Sequence, residues 1–241
     1  MHHHYSELPP SLAACSFCAL GKLCFPRRLP DFCQALFPLA DKKRIKLAPG
    51  ELLFQAGSLQ SSLYAIKAGF LKTCMQLPDG KNKISGFHLM GDALGLDALG
   101  AGTHGTSAIA LNGCEVCVIP IEKFEKLLDN PSESAHARQL LSREIARAEA
   151  HAAVIGALSA RQRVAAFLLD LSARWEYRGY SKNEFALFMS RKEIGSFLGL
   201  TFETVSRALS YFQSKKWIAM RGKNILIRDL FALQTQITHA A

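Results

Sequence analysis

The 241-residue sequence predicts an α+β protein in three parts: an antiparallel β barrel or roll, one long helix, and a short helix pair followed by a β-hairpin. Three patterns carry that prediction. Glycines recur at Gly50, Gly57, Gly69, Gly80 and Gly91, roughly every ten residues, between short apolar runs, the rhythm of antiparallel strands and turns. Leu141, Ile145, Ala148, Ala152 and Ile155 alternate steps of four and three, a heptad seam. Near the C-terminus two short capped helical patterns precede a basic hairpin.

Residues 1–35 are irregular and punctuated by Pro9, Pro10, Pro26 and Pro30. From about Ile45 to Pro120 the strand candidates include Leu52–Phe54, Ser62–Ile66, Phe70–Met75 and Glu115–Ile119, and Pro78-Asp79-Gly80 supplies hairpin-turn chemistry. The pattern changes near Glu122, and Pro131 opens a helix running to about Leu158. Arg143, Glu144, Arg147 and Glu149 flank its apolar seam, so a second copy of the helix is the natural cover and the chain is expected to be a homodimer. A helix around Arg161–Trp175 follows. Ser190 with Glu193 three residues on is a capping box opening a helix to Leu198; Gly199-Leu200 turns, and Thr201 caps a second helix to about Gln213. Ile218–Met220 and Ile225–Ile227, joined through Arg221-Gly222-Lys223-Asn224, complete a winged helix-turn-helix. The expected divisions are 1–35, a cysteine-rich segment; 36–130, the β-roll; 131–159, the dimerisation helix; and 160–241, the winged domain.

Charge agrees with this division. The chain carries a net +9, and from residue 161 onward 13 Lys/Arg stand against 6 Asp/Glu, a surplus of 7; residues 1–160 carry a surplus of only 2. A basic C-terminal third on a nearly neutral body is the footprint of a polyanion binder, so double-stranded DNA is the expected partner. Hydrophobic residues make up 49% and charged residues 20%, an ordinary globular composition. Neither a secretory leader nor a membrane-length apolar stretch stands out, so a cytoplasmic protein without a membrane partner is expected. No Ser/His/Asp constellation, P-loop or dinucleotide fingerprint points to an enzyme.

In a reducing cytosol seven cysteines read as ligands or free thiols rather than disulfides. Cys15, Cys18 and Cys24 form a C-x2-C-x5-C run, and Cys117 lies at the end of a predicted strand. Such thiolates suit an iron–sulfur cluster, zinc or copper(I). Cys33, Cys74 and Cys114 read as small buried or surface thiols, and His2, His3 and His4 as a flexible terminus or tag remnant.

The sequence resembles the FNR branch of the CRP/FNR transcription regulators over nearly its whole length. The residues that carry this are Cys15 to Cys24, Tyr64-Ala65-Ile66, Ile84 to Leu89, Cys117-x-Ile119-Pro120 and Ile194-Gly195 through Arg207, the last containing Leu198-Gly199-Leu200-Thr201-x-Glu203-Thr204-x-Ser206-Arg207. The resemblance implies a cyclic-nucleotide-binding-like β-roll, and a [4Fe-4S] cluster on Cys15, Cys18, Cys24 and Cys117. Leu23 would shield the cluster, with Phe17 and Leu20 beside it. The alternative is a thiol- or zinc-based switch on the same cysteines. An oxygen-responsive regulator is implied, with nitric oxide acting through the same iron.

The resemblance also assigns the reader. Glu203, Ser206 and Arg207 would contact bases of a TTGAT-type half-site in an inverted repeat, while Thr201, Arg191, Lys192, Lys215, Arg221 and Lys223 would contact phosphates. Phe202 departs from the small aliphatic residue common in the branch. The hairpin at Asp79-Gly80-Lys81 matches a region that touches RNA polymerase. Thr106 stands where nucleotide-binding relatives place the arginine that holds the cyclic phosphate, so no cyclic nucleotide is expected. Ala148 stands where relatives carry an acidic seam residue, which implies readier dimerisation without the cluster.

Overall fold

A computed structural model describes residues 44–129 and 131–238. The cysteine-rich segment, with Cys15, Cys18, Leu23, Cys24 and Cys33, lies outside the described residues. The described chain divides into two compact units. The first runs to Met75 and resumes over Phe87–Leu141; the second comprises Gln76–Gly86 and the chain from Ser142 onward.

The β-roll makes up the first unit, apart from its Gln76–Gly86 segment, which falls in the second. Its strands are β1 (Arg44–Leu47), β2 (Leu52–Phe54), β3 (Ser62–Ala68), β4 (Phe70–Gln76), β5 (Asn82–Leu89), β6 (Ala93–Leu94), β7 (Ser107–Ala110) and β8 (Cys114–Pro120). They form two four-stranded sheets, in the orders β1-β8-β3-β6 and β2-β7-β4-β5. The first sheet is built on the antiparallel β3–β8 ladder, which pairs Leu63 with Ile119, Tyr64 with Val118 and Ala65 with Cys117.

Because side chains alternate across a strand, each of these strands serves two cores. Tyr64, Ile66, Cys114, Val116 and Val118 pack with Phe54, Leu71, Ala108 and Ala110 of the other sheet and fill the roll. Leu63, Ala65 and Ile119 point the other way, onto Phe124 of α1 (Ile121–Leu128) and Ala137 of α2 (Pro131–Ala157). The short helix α1 is what lies behind the change of pattern near Glu122; its anchor is the fully buried Phe124.

The second unit contains the remainder of α2, then α3 (Ala160–Tyr177), β9 (Glu184–Ala186), α4 (Arg191–Leu198), α5 (Phe202–Ser214), β10 (Ile218–Arg221), β11 (Asn224–Ile227) and α6 (Leu230–Thr238). Val164, Leu168, Leu171, Ile194, Leu198, Val205, Leu209 and Phe212 are among its buried apolar residues on helices α3, α4 and α5. The wing has three strands, ordered β10-β11-β9, because Glu184–Ala186 pairs with Asn224–Leu226. Helix α6 starts where Asp229 accepts the Ala232 N–H at 2.8 Å, and the Gln162 side chain donates to the Ile237 carbonyl near its end.

Helix α2 is tied to the helix pair within this unit. The His151 ring stacks on Phe197 of α4, with centroids 3.9 Å apart and planes 12° from parallel. Burial holds the His151 imidazole below its ordinary value; Lys83 and Arg147 add to this, while a hydrogen bond to the Phe197 backbone and Asp170 oppose it. The neutral ring is therefore the folded form, and the unfolded chain takes up the proton first. Stability contributed here is present above about pH 6.5 and is lost as pH falls through the depressed value. Denaturant unfolding at about pH 7.5 and about pH 5.5 should show the second unit weakened at the lower pH, with His151→Phe reducing that difference.

Candidate nucleic-acid interface and metal anchor

The two ends of the helix pair are set by local chemistry. Ser190 accepts the Glu193 N–H, and the Glu193 carboxylate accepts both the N–H (2.7 Å) and the hydroxyl (2.8 Å) of Ser190. Gly199, in the left-handed conformation at φ 66°, ends α4. Thr201 then caps α5, accepting the Thr204 N–H at 3.3 Å. The tight joint needs Gly195: a side chain there would bring its Cβ within 2.6 Å of the Leu200 carbonyl oxygen, which is backbone and cannot swing aside.

This geometry presents the start of α5 to solvent. Thr201, Phe202, Glu203 and Arg207 are exposed, Phe202 by 49%, unusual for a large apolar side chain. Glu203 and Arg207 are four residues apart and share a face. The Glu203 backbone N–H and the Thr201 hydroxyl donate to the Glu203 carboxyl and hold it below the ordinary range, with Arg207 adding to the effect. Ser206 differs from its two companions. Its hydroxyl is covered and has no hydrogen-bond partner among the described residues.

Arg191, Lys192, Lys215, Arg221 and Lys223 are exposed on α4, at the end of α5 and on the wing. Three neighbouring acids are engaged inside the unit: Glu193 in the α4 cap, Asp229 in the α6 cap, and Glu203 on its own turn and Thr201. An exposed cationic surface at the mouth of a helix-turn-helix suits phosphate contacts.

On α2, Ile145, Ala148 and Ala152 are exposed, Ile145 by 60%, while Leu141 and Ile155 are half-buried. Ile155 lies against the Gly199 turn, so this end of the predicted seam already packs within its own chain.

Cys117 sits in the middle of β8 rather than at a strand end, and is half-buried on the helix-covered face beside Ile119 and Ala65. Arg44 stands directly opposite it in β1, and Glu115, two residues before it, pairs with Lys67 at 3.0 Å and Arg44 at 3.5 Å. Cys114 is three positions away and therefore faces the interior of the roll. Its thiol donates to the Phe70 carbonyl at 3.1 Å, and burial pushes its pKa up, which disfavours the thiolate a metal requires. Among the described residues, no three His, Cys, Asp or Glu side chains gather as a metal site. No helix there is long and apolar enough to cross a membrane.

The sequence patterns did not signal one contact of the helix pair. Within the second unit the Ile84 N–H donates to the Ser196 hydroxyl of α4 at 3.0 Å, across 112 residues of sequence. Gly195→Ala, on the same turn of α4, should destabilise the second unit by about 1–3 kcal/mol through forced displacement of the Leu200 backbone; the midpoint of denaturant unfolding measures it.

The Crp-like helix-turn-helix domain matches residues 162–236, and the cyclic nucleotide-binding domain matches 44–130. The transcriptional regulatory protein btr of Bordetella pertussis is 40% identical over 232 residues, covering 95% of this chain and 96% of its own. The fumarate and nitrate reduction regulatory protein of Escherichia coli is 37% identical over 227 residues, covering 93% and 90%. The transcriptional activator protein Anr of Pseudomonas protegens is 39% identical over 219 residues, covering 90% and 89%. Among solved structures, FixK2 from Bradyrhizobium japonicum aligns with a TM-score of 0.75 at 29% identity, over 83% of this chain and 98% of that one. With full-length relatives at this identity and both domains matched, the chain belongs to the CRP/FNR family of transcription regulators.

Proposed function

We propose that this chain is a cytoplasmic, oxygen-responsive regulator that binds TTGAT-type inverted repeats as a homodimer and controls the shift to anaerobic metabolism. Cys15, Cys18, Cys24 and Cys117 would hold a [4Fe-4S] cluster. When bound, that group supplies a centre sensitive to oxygen and nitric oxide. The observation that carries the reading is Cys117. Of the two cysteines on β8, it alone has the outward, helix-covered face, whereas Cys114 is spent in the roll interior. The names of the fumarate and nitrate reduction regulatory protein and of Anr support the same reading.

The chain's own residues would do the rest. Leu23 limits solvent access to the thiolates. Leu141, Ile145, Ala148, Ala152 and Ile155 form the dimer face, and the exposure of Ile145, Ala148 and Ala152 in the single chain supports it. Glu203 and Arg207 read base edges, Arg207 with a bidentate fork suited to guanine. Ser206 joins them once its turn meets DNA. Thr201, Arg191 and Lys192 hold phosphates. The Asp79-Gly80-Lys81 turn, where the Lys81 N–H and ammonium both bond the Asp79 carboxylate, is fully outward and would touch RNA polymerase. With Thr106 in the place of an arginine, the roll takes no cyclic nucleotide.

A second reading keeps the DNA reader but makes the cysteines a thiol or zinc switch, and metal analysis separates the two. Anaerobically purified protein should contain iron and acid-labile sulfide and should shift a TTGAT-type inverted repeat. Exposure to air should abolish that shift. Zinc without sulfide, or binding indifferent to air, would sink the cluster reading. Arg207→Ala should cost about 1–3 kcal/mol of specific binding, seen as lost discrimination between the repeat and a scrambled site.

A further inference from the structure

Residues 95–107 of the roll, between β6 and the start of β7, are closed by an Asp97–Thr106 contact and tied by hydrogen bonds to residues 56–60. The Asp97 Oδ2 accepts both the N–H of Thr106 (3.0 Å) and its hydroxyl (2.9 Å). The other oxygen, Oδ1, lies 3.5 Å from Nδ1 of His104. His104 is only 3% exposed, and its ring stacks at 3.9 Å on Phe54, which in turn stacks at 5.6 Å on Tyr64. The backbone is anchored on both sides. Gly57 N–H donates to the His104 carbonyl, His104 N–H to the Ser58 carbonyl, and Gln60 N–H to the Gly102 carbonyl. The Gln60 side chain donates to the Gly95 carbonyl and Ala56 N–H to the Ser107 hydroxyl.

A backbone N–H and a hydroxyl converging on one oxygen make an anion cradle. Here the anion is part of the chain, and the aromatic stack of His104, Phe54 and Tyr64 fills the space behind it. We propose that Asp97 is a built-in anion that plugs the Thr106 cradle. It orders the 95–107 segment without a ligand and keeps phosphate-bearing effectors out. This inference deepens the reading that the roll takes no cyclic nucleotide, and rests on it. The loss of an arginine explains weak binding of a phosphate. The plug adds a like charge at the donors themselves, and makes closure of the segment independent of any metabolite.

The test uses the full-length protein and reads amide hydrogen exchange at Thr106. Asp97→Ala should speed that exchange roughly tenfold, the value of one charge-assisted hydrogen bond. Millimolar inorganic phosphate should slow it again in the variant and leave the wild type unchanged. Asp97→Asn keeps the shape and removes the charge, and guards against a misfolded alanine variant; it should exchange about threefold faster than wild type. Unchanged exchange in the variants, or no response of Asp97→Ala to phosphate, overturns the plug. Calorimetry of the wild type with cyclic AMP separates the two claims. Binding there overturns both the nucleotide reading and the plug, whereas no binding with unchanged Thr106 exchange overturns the plug alone.

Discussion

The register of the β3–β8 ladder is the constraint on which the first unit depends. It sets Ala65 opposite Cys117 and Tyr64 opposite Val118, and so assigns the apolar residues Leu63 to Ile66 and Val116 to Ile119 alternately to two cores. A slip of one residue would turn Cys117 into the roll and bring Val116 and Val118 out against α1 and α2. Such a slip is opposed from both sides at once. The interior demands β-branched residues from alternate positions, and the outer face demands the small Ala65 beneath Phe124 and Ala137. The strand that fills the roll is thus also the strand that presents Cys117 on its outer face.

The second unit depends on a different economy, that of its acids. Glu193 and Asp229 bond backbone N–H groups at helix starts, and Glu203 is held by its own N–H and the Thr201 hydroxyl. Each such carboxylate supports a helix terminus that would otherwise have unsatisfied donors. Of the cations, Arg163 turns inward to the Leu158 and Leu198 carbonyls, while Arg191, Lys192, Lys215, Arg221 and Lys223 lie exposed at the surface. Asp97 belongs to the same pattern in the roll, where a carboxylate is again used to satisfy donors of the chain itself. Fold stability and surface potential are therefore two results of one placement of charge.

Much of the winged domain was legible because its signals are local. The Ser190/Glu193 box, Gly199 and the Thr201 cap lie within a dozen residues and mark both helices to within a residue of their observed ends. The long helix was equally plain from Pro131 and the spacing after it, and it ends at Ala157. Strand β9 was not legible, since Glu184–Ala186 is three residues long and exists only because β11 lies beside it. Helices α1 and α6 were missed for a related reason: each is short and is held by tertiary contacts, through Phe124 and through Leu233 with Gln162. The seam was legible as a periodicity, but not that Ile155 would be half-buried against the Gly199 turn.

The sequence by itself determined the order of the parts, the family, and the residue types at each site. The order of the parts follows from spacing, caps and charge, which act over a few residues and can be read along the chain. The family follows from motif resemblance over nearly the whole chain. Only the tertiary structure decided which face each residue takes. It set Cys117 outward and Cys114 inward, left Glu203 and Arg207 exposed while covering the Ser206 hydroxyl, and brought Asp97 to Thr106. The physical reason is that facing is fixed by strand register and close packing between segments distant in sequence, and no local pattern encodes which partner will lie alongside.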